Sequence, residues 1–140
     1  MTRHMVYNIT MSNKHRLRNY PKIDFSQIPE VKVAYFAGIV DGEGSIIIPS
    51  KKNLRVGLFI ANTHRGVLEW VLENFPCGNL RLVKRKKRRD HEVCYQVYIQ
   101  GTRNVYQLLL GILPYLIIKK DRALHCIKFL ENKYGDELLP

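Results

Sequence analysis

Two carboxylates at the end of a predicted helix are the residues of this chain best placed to do chemistry. The preceding apolar stretch predicts a helix that ends near Gly42 or Gly44, with Asp41 and Glu43 beside these glycines. Because the C-terminus of a helix carries partial negative charge, carboxylates are unfavourable there. A divalent cation would offset that charge, and the glycines would let ligands approach. The alternative is that residues 41–44 form only a turn into the next strand.

The same helix carries a stripe of very small side chains. Ala34, Gly38 and Gly42 recur every four residues, with Ala37 beside them, so a second helix could approach until the backbones nearly touch. Glycine within a helix costs up to about 1 kcal/mol relative to alanine, which implies a packing reason for these glycines. A different stripe is apolar and is predicted to face the protein's own core: Val33, Phe36 and Val40.

The nine residues 36–44, Phe-Ala-Gly-Ile-Val-Asp-Gly-Glu-Gly, resemble the signature motif of the LAGLIDADG homing endonucleases. Phe36 stands for the leading Leu, and Gly42 and Glu43 are common family variants at the Ala and second Asp positions. The motif occurs once, and single-motif chains of this family work as homodimers. The resemblance therefore implies that Glu43 binds metal beside a two-fold axis, and that the dimer interface contains Ala34, Ala37, Gly38, Asp41 and Gly42.

The resemblance also implies an activity: site-specific double-strand cleavage of DNA at a long, pseudo-palindromic site by an intron-encoded enzyme. Bridging cations can activate water and neutralise a leaving oxygen during phosphodiester hydrolysis. Mg²⁺ prefers hard oxygen ligands, so Glu43 and the carbonyl of Gly42 are the predicted ligands. Mn²⁺ is expected to substitute for Mg²⁺, and Ca²⁺ is expected to bind without supporting cleavage.

Two further catalytic candidates follow from the resemblance. Lys119 fits the position of the family's lysine near the scissile phosphate, with Lys120 as its neighbour, although two solvated lysines before a helix are the alternative. Asn62 matches the family's polar position that orders the attacking water. Asn62 and Thr63 also suit the N-cap of the following helix, and both roles are compatible.

The charge of the chain points to nucleic acid. The 140 residues carry 23 Lys and Arg against 12 Asp and Glu, a formal net charge of +11 that favours a polyanionic partner. The densest run, Lys84, Lys86, Lys87, Arg85, Arg88 and Arg89, is predicted to bind phosphates, because six consecutive cations cannot all reach base edges. A solvated hairpin tip is the alternative.

Periodicity along the rest of the chain predicts an α+β fold in the order α-β-β-α-β-β-α. Apolar and polar residues alternate in two pairs of strands, so one sheet face is packed and the other can meet a ligand. A helix follows each pair, which indicates a four-stranded antiparallel sheet backed by helices. The predicted helices are 30–41, 66–74, 102–112 and 121–134, and the predicted strands are 45–51, 54–62, 79–83 and 92–100.

Side chains on the unpacked face of the predicted sheet are the candidates for reading DNA. Two-stranded ribbons fit the major groove, where Arg and Lys can read guanine and Gln can read adenine. Alternation selects Ser50, Lys52, Arg55, Arg81, Arg85, Glu92, Gln96 and Gln100, while His64, Arg65 and Lys120 are candidates for contact with the phosphate backbone or the site.

The remaining sequence features concern the N-terminal segment, the cysteines and the expected location of the protein in the cell. Residues 1–30 are basic and interrupted by prolines, and they are predicted to form an arm before an endonuclease domain at 31–140. The three cysteines lack metal-site spacing and are predicted to be free thiols. With no apolar run of membrane-spanning length and no hydrophobic signal core, an intracellular protein is expected, in prokaryotic cytoplasm or an organelle, without a membrane partner.

Other functions fit the same sequence. An RNA maturase that assists intron splicing, or a binder that has lost cleavage, could use the same fold, with intron RNA as a possible partner. A small basic ribosome-associated RNA-binding protein with an accidental motif would share only the charge.

Overall fold

The structure is a computed structural model that describes residues 24–52, 55–83 and 93–138. Four α-helices and four strands lie in these ranges, and the predicted order of elements is confirmed. The helices are α1 (Glu30–Glu43), α2 (Arg65–Asn74), α3 (Thr102–Ile112) and α4 (Lys120–Tyr134). The strands are β1 (Gly44–Ile47), β2 (Gly57–Asn62), β3 (Gly78–Val83) and β4 (Cys94–Ile99), and short 3-10 helices cover Phe25–Gln27, Leu113–Tyr115 and Gly135–Leu138.

The four strands form one antiparallel sheet in the order β1-β2-β4-β3. Both predicted strand pairs are present, and the β2–β4 pairing joins them. Phe59 pairs with Tyr98 and Ile60 with Val97, so neighbouring pairs point to opposite faces of the sheet. Ile60 and Val97 are fully buried on the helix side, whereas Phe59 and Tyr98 lie on the opposite face, called the outer face below.

The inner side of α1 packs into the core, as the apolar stripe predicted. Val33, Phe36 and Val40 are buried, and the ring of Phe36 stacks on Phe75 with centroids 4.4 Å apart. The helix runs directly into β1 at Gly44, where a Cβ atom would lie 2.7 Å from the Val40 carbonyl oxygen. Glycine is therefore required where the helix meets the sheet.

The packing against the core begins before α1. Phe25 and Ile28 both contact the core, and the ring of Phe25 stacks on Phe75 with centroids 6.4 Å apart. Residues 1–23 of the predicted arm lie outside the described residues. The division into an arm and a domain stays a prediction.

The strands β1 and β2 are shorter than the sequence predicted. β1 ends at Ile47 because Pro49 has no N–H for the ladder and restricts the residue before it. The connection therefore contains Ser50, Lys52 and Arg55, which do not occupy alternating strand positions as the prediction assumed.

The strand β4 also differs from its prediction. The alternation of residues 92–100 predicts that Val93 shares the packed face with the later apolar residues of the strand. The strand begins at Cys94, however, so Val93 lies before it and is 47% exposed. Tyr95, Val97 and Ile99 do follow the predicted alternation.

The buried side of α4 differs from the one that its bulky apolar residues predict, namely Leu124, Ile127, Phe129 and Leu130. Ile127 and Leu130 are buried as predicted, but Leu124 is 37% exposed and Phe129 is only half-buried. The side that contacts the core follows the helical spacing of Ala123, Cys126, Ile127 and Leu130, so two small residues take the place of two bulky ones.

The cysteines behave as predicted, and no disulfide links them. Burial raises the pKa of the Cys77 thiol to about 12 and that of the Cys126 thiol to about 11, which makes both poor nucleophiles near neutrality.

Within the described ranges, no helix has the length and apolar character needed to cross a membrane.

Candidate active site and nucleic-acid interface

The last turn of α1 presents one unengaged carboxylate. Glu43 is exposed, and its side chain forms no hydrogen bond or ion pair with any residue that the structure describes. The helix has no basic residue in its own last turn. Glu43 is therefore available to a ligand from outside the protomer.

The other acid of the motif, Asp41, is bound to a distant loop. Its two carboxylate oxygens accept the backbone N–H groups of Ile117, at 2.7 Å, and Lys119, at 3.0 Å. In return, the ammonium group of Lys119 donates to the backbone carbonyl oxygen of Asp41 at 2.5 Å. These three bonds bring the predicted catalytic lysine to the end of the motif helix, 78 residues away in sequence.

The electrostatics of Asp41 follow from these bonds. Desolvation alone would raise the pKa of Asp41, but N–H donors from Ile117, Lys119 and Ile118, together with the charge of Lys119, outweigh it and lower the pKa. Asp41 is thus held as a carboxylate. An acid at the C-terminal end of a helix has no free N–H donor within its own helix, and the structure shows that the Asp41 side chain bonds to the loop before α4 instead.

A second cation ties α4 to the strand that follows the motif. The guanidinium Nε of Arg122 donates to the backbone carbonyl oxygen of Ile46 at 2.7 Å. Together with the Asp41 bonds, this contact fixes the start of α4 against the junction of α1 and β1. The sequence offered no signal for Arg122, since a basic residue in the first turn of a helix has many possible roles.

Asn62 lies at the end of β2, close to the point where α1 joins β1. Gly44, the first residue of β1, pairs with Ile60, so the last two residues of β2 extend beyond this pair towards the end of α1. The Asn62 Oδ1 atom accepts the backbone N–H of His64 at 2.8 Å, which is a local turn. Among the described residues, Asn62 forms no hydrogen bond with Glu43 or Lys119, so only its position at the edge agrees with the predicted role.

The N-cap of α2 is not the one that the sequence predicted. The cap is His64, whose Nδ1 atom accepts the backbone N–H of Val67 at 3.0 Å. Asn62 and Thr63 precede it, and the Asn62 side chain is used by the turn. A neutral imidazole nitrogen can accept this bond as an Asn oxygen would.

The outer face carries an aromatic and arginine cluster at its centre. The rings of Phe59 and Tyr98 stack with centroids 4.3 Å apart, and the Arg81 guanidinium lies 5.8 and 5.6 Å from their centroids. Arg81 Nε also donates to Gln96 Oε1 at 2.8 Å. Arg81 and Gln96, both predicted DNA contacts, are therefore neighbours on adjacent strands. Sequence reasoning missed Phe59 and Tyr98, although the alternation itself put them on this face.

The remaining predicted contacts are dispersed. Arg65 lies at the start of α2, where its Nε bonds Glu69 at 2.6 Å and its guanidinium covers the Tyr95 ring. Gln100 follows β4, and Lys120 is the first residue of α4 and is exposed. The basic run, with Glu92, lies outside the described residues: Lys84, Arg85, Lys86, Lys87, Arg88 and Arg89.

The side of α1 that faces away from the core is the predicted interface. Gly38 and Gly42 are exposed, and a Cβ atom added to either would meet nothing within 4 Å. Ala34 is half-buried. Ala37 was also predicted to lie in this interface, but it is fully buried in the protomer's own core and offers no surface to a partner. It lies on the same side of the helix as Phe36, which faces the core.

The donors at this end of α1 suit a hard cation. Glu43 offers carboxylate oxygens, and the Gly42 carbonyl, which lies in the last helical turn, has no partner within the helix. Mg²⁺ prefers such oxygens. Within the described ranges no cluster of three His, Cys, Asp or Glu side chains could hold a metal ion. The residues therefore fit a site that waters, phosphate oxygens or a second copy would complete.

Comparison with solved structures establishes the fold. The homing endonuclease I-CvuI, in complex with its target in the presence of Ca, matches with a TM-score of 0.59 and 24% identity over 77% of this chain and 71% of that chain. The archaeal intron-encoded homing endonuclease I-Vdi141I, complexed with DNA, matches with a TM-score of 0.57 and 19% identity over 78% and 73%.

A longer homing endonuclease matches this chain over about half of its own length. The I-LtrWI LAGLIDADG homing endonuclease, bound to target DNA, has a TM-score of 0.52 and 18% identity over 94% of this chain and 46% of that chain. No protein-family model and no curated protein matches the sequence. The chain thus has the α+β fold of the LAGLIDADG homing endonucleases, as the nine-residue motif predicted.

Proposed function

We propose that this chain is an intron-encoded, site-specific endonuclease that cuts both strands of DNA as a homodimer at a long, pseudo-palindromic site. The observation that carries the proposal is the position of Lys119 at the end of the motif helix. Its ammonium group donates to the backbone carbonyl oxygen of Asp41, two residues before the exposed carboxylate of Glu43. Solved structures of the same fold are of homing endonucleases bound to DNA.

In this proposal Glu43 and the Gly42 carbonyl hold Mg²⁺. When bound, the metal would supply an activated water and neutralise charge on the leaving oxygen. Lys119 would place positive charge near the scissile phosphate, and the free amide N–H groups of Asn62 would orient the water. The I-CvuI structures, solved in the presence of Ca and of Mg, support the choice of a divalent metal.

The outer face would lie in the major groove. Beyond the bond of Arg81 Nε to Gln96, the guanidinium has further N–H groups that form no hydrogen bond with the described residues, and such groups match the acceptors of guanine. The net charge of +11 per protomer would supply the salt-dependent attraction to phosphate.

The homodimer would form through the outer side of α1. The open space at Gly38 and Gly42 means that packing within the described protomer does not require glycine there. Val31 and Tyr35 extend this side with exposures of 74% and 58%. Coverage of only 46% of the I-LtrWI chain supports a pairing of two such units.

The first experiment is cleavage of DNA that spans the intron-free form of the gene. We expect double-strand cutting at one site in Mg²⁺ and binding without cutting in Ca²⁺. Glu43→Gln should reduce the rate of cutting at least about 10²-fold, while target binding in Ca²⁺ is retained. The reason is that the carboxylate acts in the reaction and not in recognition of the target.

A matched control is Glu73→Gln, which removes the same charge from an exposed position on α2. It should cut like the wild-type protein. Tight DNA binding without cutting in any divalent metal would contradict the endonuclease, and intron RNA would then be the ligand to test for a maturase.

A further inference from the structure

The loop between Leu116 and Lys119 has little packing of its own. Leu116 is buried, but the next two side chains, Ile117 and Ile118, are 86% and 75% exposed. The Asp41 carboxylate binds the loop backbone through the N–H groups of Ile117 and Lys119. Between buried Leu116 and the Arg122–Ile46 contact at the start of α4, these two bonds hold the exposed part of the loop against the motif helix.

We propose that Asp41 is a positioning residue that holds Lys119 at the catalytic end of the motif helix; this inference rests on the proposed endonuclease function. Each carboxylate oxygen accepts one N–H, so the side chain fixes the loop at two points. The Lys119 ammonium then reaches the carbonyl of Asp41 itself, two residues before Glu43. Both acids of the motif thus serve the reaction, Glu43 directly and Asp41 through Lys119.

The test variant is Asp41→Asn. An amide has one acceptor oxygen, and its NH₂ group would face a second N–H, so one of the two loop bonds is lost. We expect the single-turnover rate constant in Mg²⁺ to fall roughly 10- to 100-fold, as for a small displacement of a reacting group. Target affinity in Ca²⁺ and the mass of the dimer should stay unchanged.

Asp121→Asn is the charge-matched control. Asp121 lies in the first turn of α4, two residues from Lys119, and its side chain forms no hydrogen bond or ion pair with the described part of the chain. It should cut at the wild-type rate. Equal losses in both variants would overturn the proposal, since charge near Lys119 would then explain the effect.

A double-mutant cycle separates positioning from general stability. If Asp41 acts through Lys119, adding Asp41→Asn to Lys119→Met should change the rate by less than about twofold. Rate losses that multiply would overturn the proposal. Amide exchange at Ile117 and Lys119 should also be at least about tenfold faster in Asp41→Asn, because their acceptor is weakened.

If Asp41→Asn does not fold, Ile117→Pro deletes the donor instead of the acceptor. Leu116 has φ −73° and ψ 140°, the conformation that a residue before proline prefers. The same fall in cutting is expected, with affinity retained. Wild-type protein that cuts no DNA would overturn the endonuclease and this role together, whereas wild-type cutting matched by Asp41→Asn would overturn the positioning role alone.

Discussion

The two sides of α1 differ in packing. The inner side is filled: Phe36, Ala37 and Val40 are fully buried, and Phe36 stacks on Phe75. On the outer side, Gly38 leaves open space where a side chain would be. One helix therefore contributes bulk to its own core and a smooth backbone to whatever approaches from outside.

The residues of the motif helix therefore serve two different purposes. The large side chains on the inner side fill the core of the protomer, and removing one of them would leave a cavity. The glycines on the outer side are not explained by the described protomer, since alanine would fit and favour the helix. Substitutions on the two sides should accordingly affect different measurements.

The largest effect on unfolding is expected at the inner side. Phe36→Ala removes a fully buried ring and should lower the free energy of unfolding by about 3–5 kcal/mol, measured by urea denaturation. Leu110→Ala is the control, because Leu110 is 38% exposed on α3, and it should cost less than about 1 kcal/mol. Similar losses for both would contradict the assignment of the core.

An intermediate effect is expected where α1 meets β1. Gly44→Ala would place a Cβ atom 2.7 Å from the Val40 carbonyl oxygen, and backbone cannot rotate away as a side chain can. The free energy of unfolding should fall by about 1–3 kcal/mol. At Gly111 the same change meets nothing within 4 Å, so Gly111→Ala should be neutral or stabilising by up to about 1 kcal/mol.

A change on the outer side should leave the protomer folded and alter its assembly. Gly38→Leu improves helix propensity by up to about 1 kcal/mol but puts bulk where a second helix would pack. Under the proposed homodimer, sedimentation should show the wild-type protein as a dimer and Gly38→Leu as a folded monomer. Gly111→Leu serves as control and should remain dimeric. A monodisperse Gly38→Leu dimer would disprove the interface on α1.

The smallest effect is a pH dependence at the end of the helix. The folded pKa of Asp41 is lowered, against desolvation, by backbone N–H bonds, while the unfolded value is about 3.9. The resulting stabilisation is fully present above about pH 4 and is lost as the pH falls through the folded pKa. As the pH falls below about 4, wild-type protein should lose stability more steeply than Asp41→Asn, measured by urea denaturation at a series of pH values; parallel curves would contradict this.

Local periodicity was enough to predict most of the fold. The spacing of Val33, Phe36 and Val40 identified the buried side of α1, and alternation identified the faces of β2 and β4. Errors arose where a single residue altered a local rule. Pro49 ended β1 early, and His64 replaced Asn62 as the cap of α2.

The candidate site was predictable in part. Glu43 and Lys119 were named from one nine-residue motif and one loop, and the structure brings the loop to the motif. The bonds of Asp41 to the Lys119 loop and the contact of Arg122 with Ile46 were not predictable, because the partners lie 76 to 78 residues apart in the sequence. Hydrophobic periodicity carries no information about such distant pairs.

The order of residues alone is enough to predict which elements form, which side of α1 is apolar, and that a pair of acids ends a helix with a small-residue stripe. These properties depend on neighbours within one or two turns of chain. Tertiary structure alone decided that Ala37 belongs to the core, that Asp41 binds the Lys119 loop, and that Arg81 covers Phe59 and Tyr98. Such contacts arise only when the packing of the whole sheet and its helices brings distant segments within hydrogen-bond reach.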